Sequence, residues 1–263
     1  MVPMADEPVC VVESETKAEP AFPPGIDKSG RRVRRMFGSI ARRYDLLNHL
    51  LSLNIDRSWR RFTVRTVPRQ TGEPVLDCCT GTADLAIAYA RAKGGYPVIG
   101  TDFCRPMLLL GRQKVLKRNM GARVVLVEAD TQRLPLPSDH FGVVSVAFGL
   151  RNIDDPERAI DEMIRVARPG GKVAILEFSR PRSRFLRRIY LAFFRHILPR
   201  VGQAIAPNDD QAYHYLPSTV LNFRDGQEML DLLASRGLCS LKLYPLTFGI
   251  ATLYVGAKPE QCA

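Results

Sequence analysis

Residues 75–86 read VLDCCTGTADLA: an apolar run ending at an acid, a turn of small residues, then the start of a helical pattern. This is the form of the first βα turn of a doubly wound sheet, where ligands bind beyond the carboxyl ends of the strands. Gly81 tolerates a positive φ and lets the backbone approach a ligand closely. Thr82 offers a hydroxyl or an amide at the helix start. Asp77, at the strand end, is expected to support this turn rather than to act as a base.

The pattern continues downstream. Apolar bursts stand at PVLDCC, YPVIGTD, RVVLVEAD, GVVSVAFG and KVAILEFS, with helix-like stretches around 83–93, 104–118 and 156–168. Short β-branched runs separated by helices predict a parallel sheet of βαβ units. A further helix, about 225–236, precedes CSLKLYPL and IATLYVGA, which read as a hairpin-like pair completing the sheet. The expectation is a doubly wound, mostly parallel seven-stranded α/β sheet.

The second and third strand ends narrow the ligand. VIGTD ends at Asp102, 25 residues after Asp77, where an acid can accept both hydrogen bonds of a ribose diol. VLVEAD ends at Asp130, followed by Thr131, suited to an exocyclic amine such as that of adenine. Thr80 and Ala83 stand where a pyrophosphate-binding turn would carry more glycines. An adenosine ligand without a pyrophosphate fits best, and S-adenosyl-L-methionine is one.

Upstream, RRVRRMFGSIARRYDLLNHLLSLNIDRSWRRFTVRTV places Met36, Ile40, Tyr44, Leu47, Leu50 and Leu51 near helical spacing. An N-terminal helical cap over 28–70 is expected, preceding a catalytic domain over 71–259. Residues 1–27 carry six acids against Lys17, a net −5, with prolines near the end, and read as a disordered acidic tail. The whole 263-residue chain has a formal net charge of +11, so the remainder carries +16. Such a body suits anionic partners. No apolar run approaches the ~20 residues needed to span a bilayer. With neither a signal-peptide nor a transit-peptide pattern, a cytoplasmic location is expected. The six cysteines lack zinc-ligand spacing, so neither a metal site nor a disulfide framework is expected.

Three stretches carry a resemblance to the ubiquinone and menaquinone C-methyltransferase family: YDLLNHLLSLNIDRSW (44–59), FGLRN (148–152) and RVARPGGKVAILEFS (165–179). The last leads through a Pro-Gly-Gly turn and is common to many methyltransferases; the first two are narrower. The likeness runs from about Val33 to Pro259. It implies a class I, Rossmann-like methyltransferase fold that uses S-adenosyl-L-methionine, with cofactor contacts at Thr82, Asp102, Asp130 and Thr131. It implies ring C-methylation of a polyprenyl quinol, either demethylmenaquinol or a ubiquinol precursor. The chain departs from the family at Asp56, Ala83 and Ala147, where members usually carry His, Gly and Ser; the Ser is a cofactor contact.

Methyl transfer to an aromatic carbon needs an in-line approach and a ring made electron-rich by loss of a hydroxyl proton. Arg151 is the candidate positive group beside the developing oxyanion. Tyr44 is a candidate to hydrogen-bond the quinol or close over it, and Asn152 to orient a water or a substrate oxygen. No residue stands out as the proton acceptor. A basic insertion at about 180–222 opens with seven arginines from Arg180 to Arg200 and an apolar face at helical spacing. That composition suits peripheral attachment to an anionic membrane, at its inner face. Nucleic acid is not an expected partner; a homodimer or contact with other quinone-biosynthesis enzymes is left open. The alternatives are a methyltransferase of another small lipid or polyketide and a non-catalytic S-adenosylmethionine-binding protein.

Overall fold

The computed structural model describes residues 30–51, 54–92, 96–181, 183, 185, 187, 188, 192 and 219–260; the side chains of residues 40 and 42–51 lie outside that description. The acidic tail and most of the basic insertion also lie outside the described residues. Seven strands form one sheet: β1 (Val75–Cys78), β2 (Val98–Asp102), β3 (Val124–Glu128), β4 (Phe141–Ala147), β5 (Ala167–Phe178), β6 (Cys239–Leu246) and β7 (Ala251–Ala257). Their order is β3-β2-β1-β4-β5-β7-β6. β1 to β5 run parallel, while β7 pairs antiparallel with both β5 and β6. The expected terminal pair is present, with the last strand inserted beside β5.

Alternation along each strand builds two cores. Val75, Val143, Ala174, Leu176 and Leu253 point to one face of the sheet. Their neighbours Leu76, Val144, Val173, Ile175 and Tyr254 point to the other. Successive side chains on a strand face opposite ways, so a sheet buried on both sides needs apolar residues at nearly every position.

The helices cover these faces. α3 (Asp84–Arg91) and α4 (Arg105–Lys117) lie close to the spans expected from the sequence, as do α5 (Pro156–Val166) and α6 (Gln227–Ser235). α5 starts with the Asp155 carboxylate accepting from Arg158 N at 3.0 Å and with Pro156 just inside. It buries Ala159, Ile160, Met163 and Val166, one stripe at helical spacing. At the N-terminal side, α1 (Gly30–Leu51) packs Ala41 against Cys104 and Met107 of the α4 region. α2 (Ile55–Thr66) buries Asp56, Trp59 and Thr63.

The Pro-Gly-Gly segment is a bulge within the span of β5 rather than a turn before it. Ala167 pairs with Phe141 and Lys172 with Val143, so residues 168–171 are displaced from the ladder. Gly171 has no room for a side chain: a Cβ would stand 2.7 Å from Arg168 O and 2.9 Å from Phe141 O. Both atoms are backbone and cannot swing aside. Gly171→Ala is expected to lose about 1–3 kcal/mol of stability, the range for overpacking. In urea unfolding this reads as a lower midpoint with an unchanged slope.

Candidate active site

The strand order reverses between β1 and β4, and a cleft opens beyond the carboxyl ends of these two strands. Its walls include five of the expected residues: Gly81, Asp102, Asp130, Thr131 and Asn152. Cys79, Ala147 and Phe148 join them. An adjoining smaller cavity shares Cys79, Gly81 and Ala147 and is lined by Asp77, Thr80, Thr82, Asp84 and Arg60.

The turn after β1 is held in an uncommon backbone. Cys79, Gly81 and Ala83 all have positive φ, at 49°, 55° and 68°. Gly81 adopts this conformation freely. Ala83 is left-handed and fully buried, which for an L-residue costs about 1–2 kcal/mol. Relative to glycine, its buried methyl returns roughly 0.8 kcal/mol, and a stiffer unfolded chain returns about 0.4–1 kcal/mol more. These contributions nearly cancel, which accounts for an alanine at a position whose backbone favours glycine.

Three acids take different roles. Asp102 accepts from Gly81 N and Cys104 N, each at 2.8 Å, tying the first βα turn to the second. Burial pushes its pKa up to about 6, against the pull of those two backbone N–H groups. Asp77 is buried beneath the turn, accepting from Thr80 Oγ1 at 2.6 Å and Ser145 Oγ at 3.1 Å. Burial raises its pKa to about 7. Asp130 is exposed and accepts from Gln132 N at 2.9 Å. Thr131 is buried beside it, its Oγ1 lying 3.5 Å from Cys79 Sγ. Burial also pushes the Cys79 thiol up, so it stands there as a neutral group. The Thr82 hydroxyl accepts from Lys114 Nζ at 2.7 Å.

Arg151 is placed differently from the sequence expectation. Its guanidinium is buried and does not line the cleft. Nη1 donates to Glu177 Oε2 at 2.9 Å and to Phe148 O at 2.6 Å, and the group lies 5.2 Å from the Phe178 ring centroid. The partner, Glu177, stands on the neighbouring strand β5. Arg151 thereby holds the corner after β4, where Phe148 has φ 60° and Asn152 Nδ2 donates to Phe148 O at 3.3 Å. Asn152 Oδ1 is buried without a partner among the described residues. Tyr44 falls on α1, and its side chain lies outside the described residues.

Sequence reading missed Glu177, Arg60 and Trp59. An acid inside the apolar run KVAILEF was the available signal for Glu177. Arg60 and Trp59 gave none, because α2 meets the site only through the fold. Trp59 packs on Phe148 and Phe178, with ring centroids 5.9 and 6.1 Å away. Asp56 is buried and pairs with Arg60, whose guanidinium lies 5.4 Å from the Phe148 ring centroid. Ala147 borders both cavities, so a hydroxyl there would reach the site, and this chain lacks it.

The charges fit a cationic adenosine ligand. In a chain of net charge +11, the cleft carries Asp102, Asp130 and Asp154 and, among the described residues, no Lys or Arg. The adjoining cavity is lined by both signs of charge, Arg60 with Asp77 and Asp84, a mixture that suits a zwitterionic amino-acid group. S-adenosyl-L-methionine joins these features: an adenosine, a sulfonium and an amino-acid end. The sheet order is that of the class I, Rossmann-like fold, and the family match given below makes the chain an S-adenosylmethionine-dependent methyltransferase. A Thermotoga maritima S-adenosylmethionine-dependent methyltransferase is similar in fold, with a TM-score of 0.59 at 16% identity over 86% of this chain and 99% of that one. Phosphoethanolamine N-methyltransferase 2 of Haemonchus contortus, solved with S-adenosyl-L-methionine, has a TM-score of 0.57 at 15% identity over 77% of this chain and 53% of that one. The chain belongs to the ubiE/COQ5 methyltransferase family, whose sequence profile matches residues 26–258. It is 42% identical over 234 residues to the Geobacter sulfurreducens ubiquinone/menaquinone biosynthesis C-methyltransferase UbiE, covering 89% of this chain and 91% of that one. It is 40% identical over 238 residues to the Deinococcus radiodurans demethylmenaquinone methyltransferase, covering 90% and 97%.

Two outcomes are expected. With the Asp102 pKa at about 6, roughly one tenth of its carboxylate is ionised at pH 5. The affinity for S-adenosylhomocysteine, measured by calorimetry, should fall about tenfold between pH 7.5 and 5, the outcome expected of a carboxylate that accepts from ribose hydroxyls only when ionised. Arg151→Met strands Glu177 as a buried lone charge and should destabilise by about 3–5 kcal/mol. Pairing it with Glu177→Leu should recover more than 1 kcal/mol of that loss in urea unfolding, as coupled partners do.

Proposed function

We propose that this enzyme transfers a methyl group to a ring carbon of a polyprenylated quinol, either demethylmenaquinol or a ubiquinol precursor. Family membership at about 40% identity over nearly the whole chain supports the substrate class. The observation that carries the reading is in the cleft. Asn152 Oδ1, a buried acceptor without a partner among the described residues, belongs to a residue that lines the cleft together with Phe148, Asp102 and Asp130. A flat ring bearing a hydroxyl suits a cleft that offers both an aromatic side chain and a lone acceptor.

S-adenosyl-L-methionine, when bound, supplies an electrophilic methyl group on its sulfonium. Asp102 and Asp130, with Thr131, hold the adenosine; Asp77, through Thr80, holds the Gly81 turn against the amino-acid end. Asn152 orients the quinol oxygen, and Phe148 sets the plane of the ring. Arg151 acts from behind this wall, fixing Phe148 and Asn152 through the Phe148 carbonyl. Tyr44, on α1, is assigned to the substrate side. Positioning of this kind lowers the barrier by bringing the ring carbon in line with the methyl group.

A polyprenyl quinol dissolves in the bilayer, so the enzyme is assigned to the inner face of the membrane as a peripheral protein. No helix among the described residues is long and apolar enough to cross a membrane. Arg180 to Arg200, with their apolar face, supply the attachment in this reading.

The test is a methylation assay with labelled S-adenosyl-L-methionine, offering demethylmenaquinol or a demethylated ubiquinol precursor in anionic liposomes. Label on a ring carbon of either quinol is the expected result. Cofactor binding without transfer to either would overturn the reading.

A further inference from the structure

α2 turns a second face away from the active site. While Asp56, Trp59 and Thr63 are buried, Arg57, Arg61 and Arg65 recur every fourth residue on the exposed side. They line an open cleft between α2 and α3, which Arg60, Arg91 and Arg118 complete. Six arginines thus face one concavity with Asp84 as its lone acid among the described residues. Asp84 is already engaged, by Lys114 at 2.9 Å and Arg118 at 3.7 Å. Arg60 is matched by Asp56. Among the described residues no carboxylate stands within ion-pairing distance of Arg57, Arg61, Arg65 or Arg91.

Like charges gathered in a concavity repel, and low-dielectric walls focus their field instead of dispersing it. An ordinary solvated face spreads such groups apart or interleaves acids among them. The cleft floor is aliphatic, formed by Val64, Ile87, Ala88 and Ala92. Guanidinium forks match phosphate oxygens two at a time.

We propose that this cleft is a binding site for phosphate groups, separate from the methyl-transfer cleft. Two sources share that chemistry, the headgroups of anionic phospholipids and a soluble phosphate anion. The inference goes beyond the quinol reading and does not depend on it, since binding is measured with no quinol present. It also differs from attachment through Arg180 to Arg200, which lies on another part of the chain.

The test compares two variants of the full chain, each losing three positive charges. One is Arg61→Gln/Arg65→Gln/Arg91→Gln, at exposed residues of the cleft. The other is Arg112→Gln/Lys172→Gln/Lys242→Gln, at exposed residues outside it. Arg60 is left alone because it also borders the cofactor side. Each protein is floated with phosphatidylglycerol-containing and pure phosphatidylcholine vesicles, and each is titrated with inorganic pyrophosphate. The expected result is that the cleft variant loses at least tenfold in affinity for whichever phosphate source the wild type binds, while the control loses less than threefold. Binding confined to phosphatidylglycerol vesicles names the headgroup as the source; pyrophosphate binding without vesicle binding names a soluble anion. Equal losses in the two variants, or no wild-type binding to either source, would overturn the proposal. Equal losses with wild-type vesicle binding intact would still leave the membrane reading standing.

Discussion

The Asp102 carboxylate carries two backbone N–H groups, from Gly81 and Cys104, on its two oxygens. That single bridge ties the turn after β1 to the turn after β2 at the wall of the cleft. It also explains why the turn after β1 can keep three residues at positive φ, two of them not glycine. Backbone strain persists where the surroundings over-determine it. Here the surroundings are a bridging carboxylate above and Asp77, held by Thr80 and Ser145, below. Both acids are desolvated, and donors supplied by the fold offset part of that desolvation.

The opposite wall is built by a different means. Phe148 closes β4 in a left-handed conformation, and its carbonyl accepts from both Arg151 and Asn152. Arg151 is neutralised by Glu177 of the neighbouring strand, so a buried cation stabilises a corner without adding net charge to the cleft. Trp59 completes this wall from the N-terminal side, its Nε1 donating to Thr247 Oγ1 at 2.8 Å across the aromatic group. Segments far apart in sequence therefore meet at one ring, Phe148. The helices before β1 are part of the site's wall rather than an appendage.

Charge is partitioned with the same economy. The body is strongly basic, yet the described lining of the main cleft carries three acids and no base. A cationic ligand is favoured inside the main cleft and anions in the arginine cleft between α2 and α3, which shares no lining residue with it. Arg60 and Asp84 stand at the boundary, each bordering both the smaller cavity beside the main cleft and the arginine cleft. The pairing of Arg60 with Asp56 damps its charge toward both.

The alternating bursts from Pro74 onward, the acids at strand ends and the small-residue turn determined by themselves the class of sheet, its strand count and the end of the sheet at which the cleft opens. These are local signals: a period of two or 3.6 residues and the chemistry of a turn are written in neighbouring positions. The departures at Ala83 and Ala147 were legible too, though their meaning came from a φ angle and a shared cavity wall. Only the tertiary structure decided that β7 inserts between β5 and β6, because antiparallel pairing there depends on register between strands some 80 residues apart. It also decided that Arg151 faces Glu177 and that α2 brings Arg60 into a cavity wall shared with Asp77, since sheet register and helix packing set which groups come together, and no spacing along the chain encodes that.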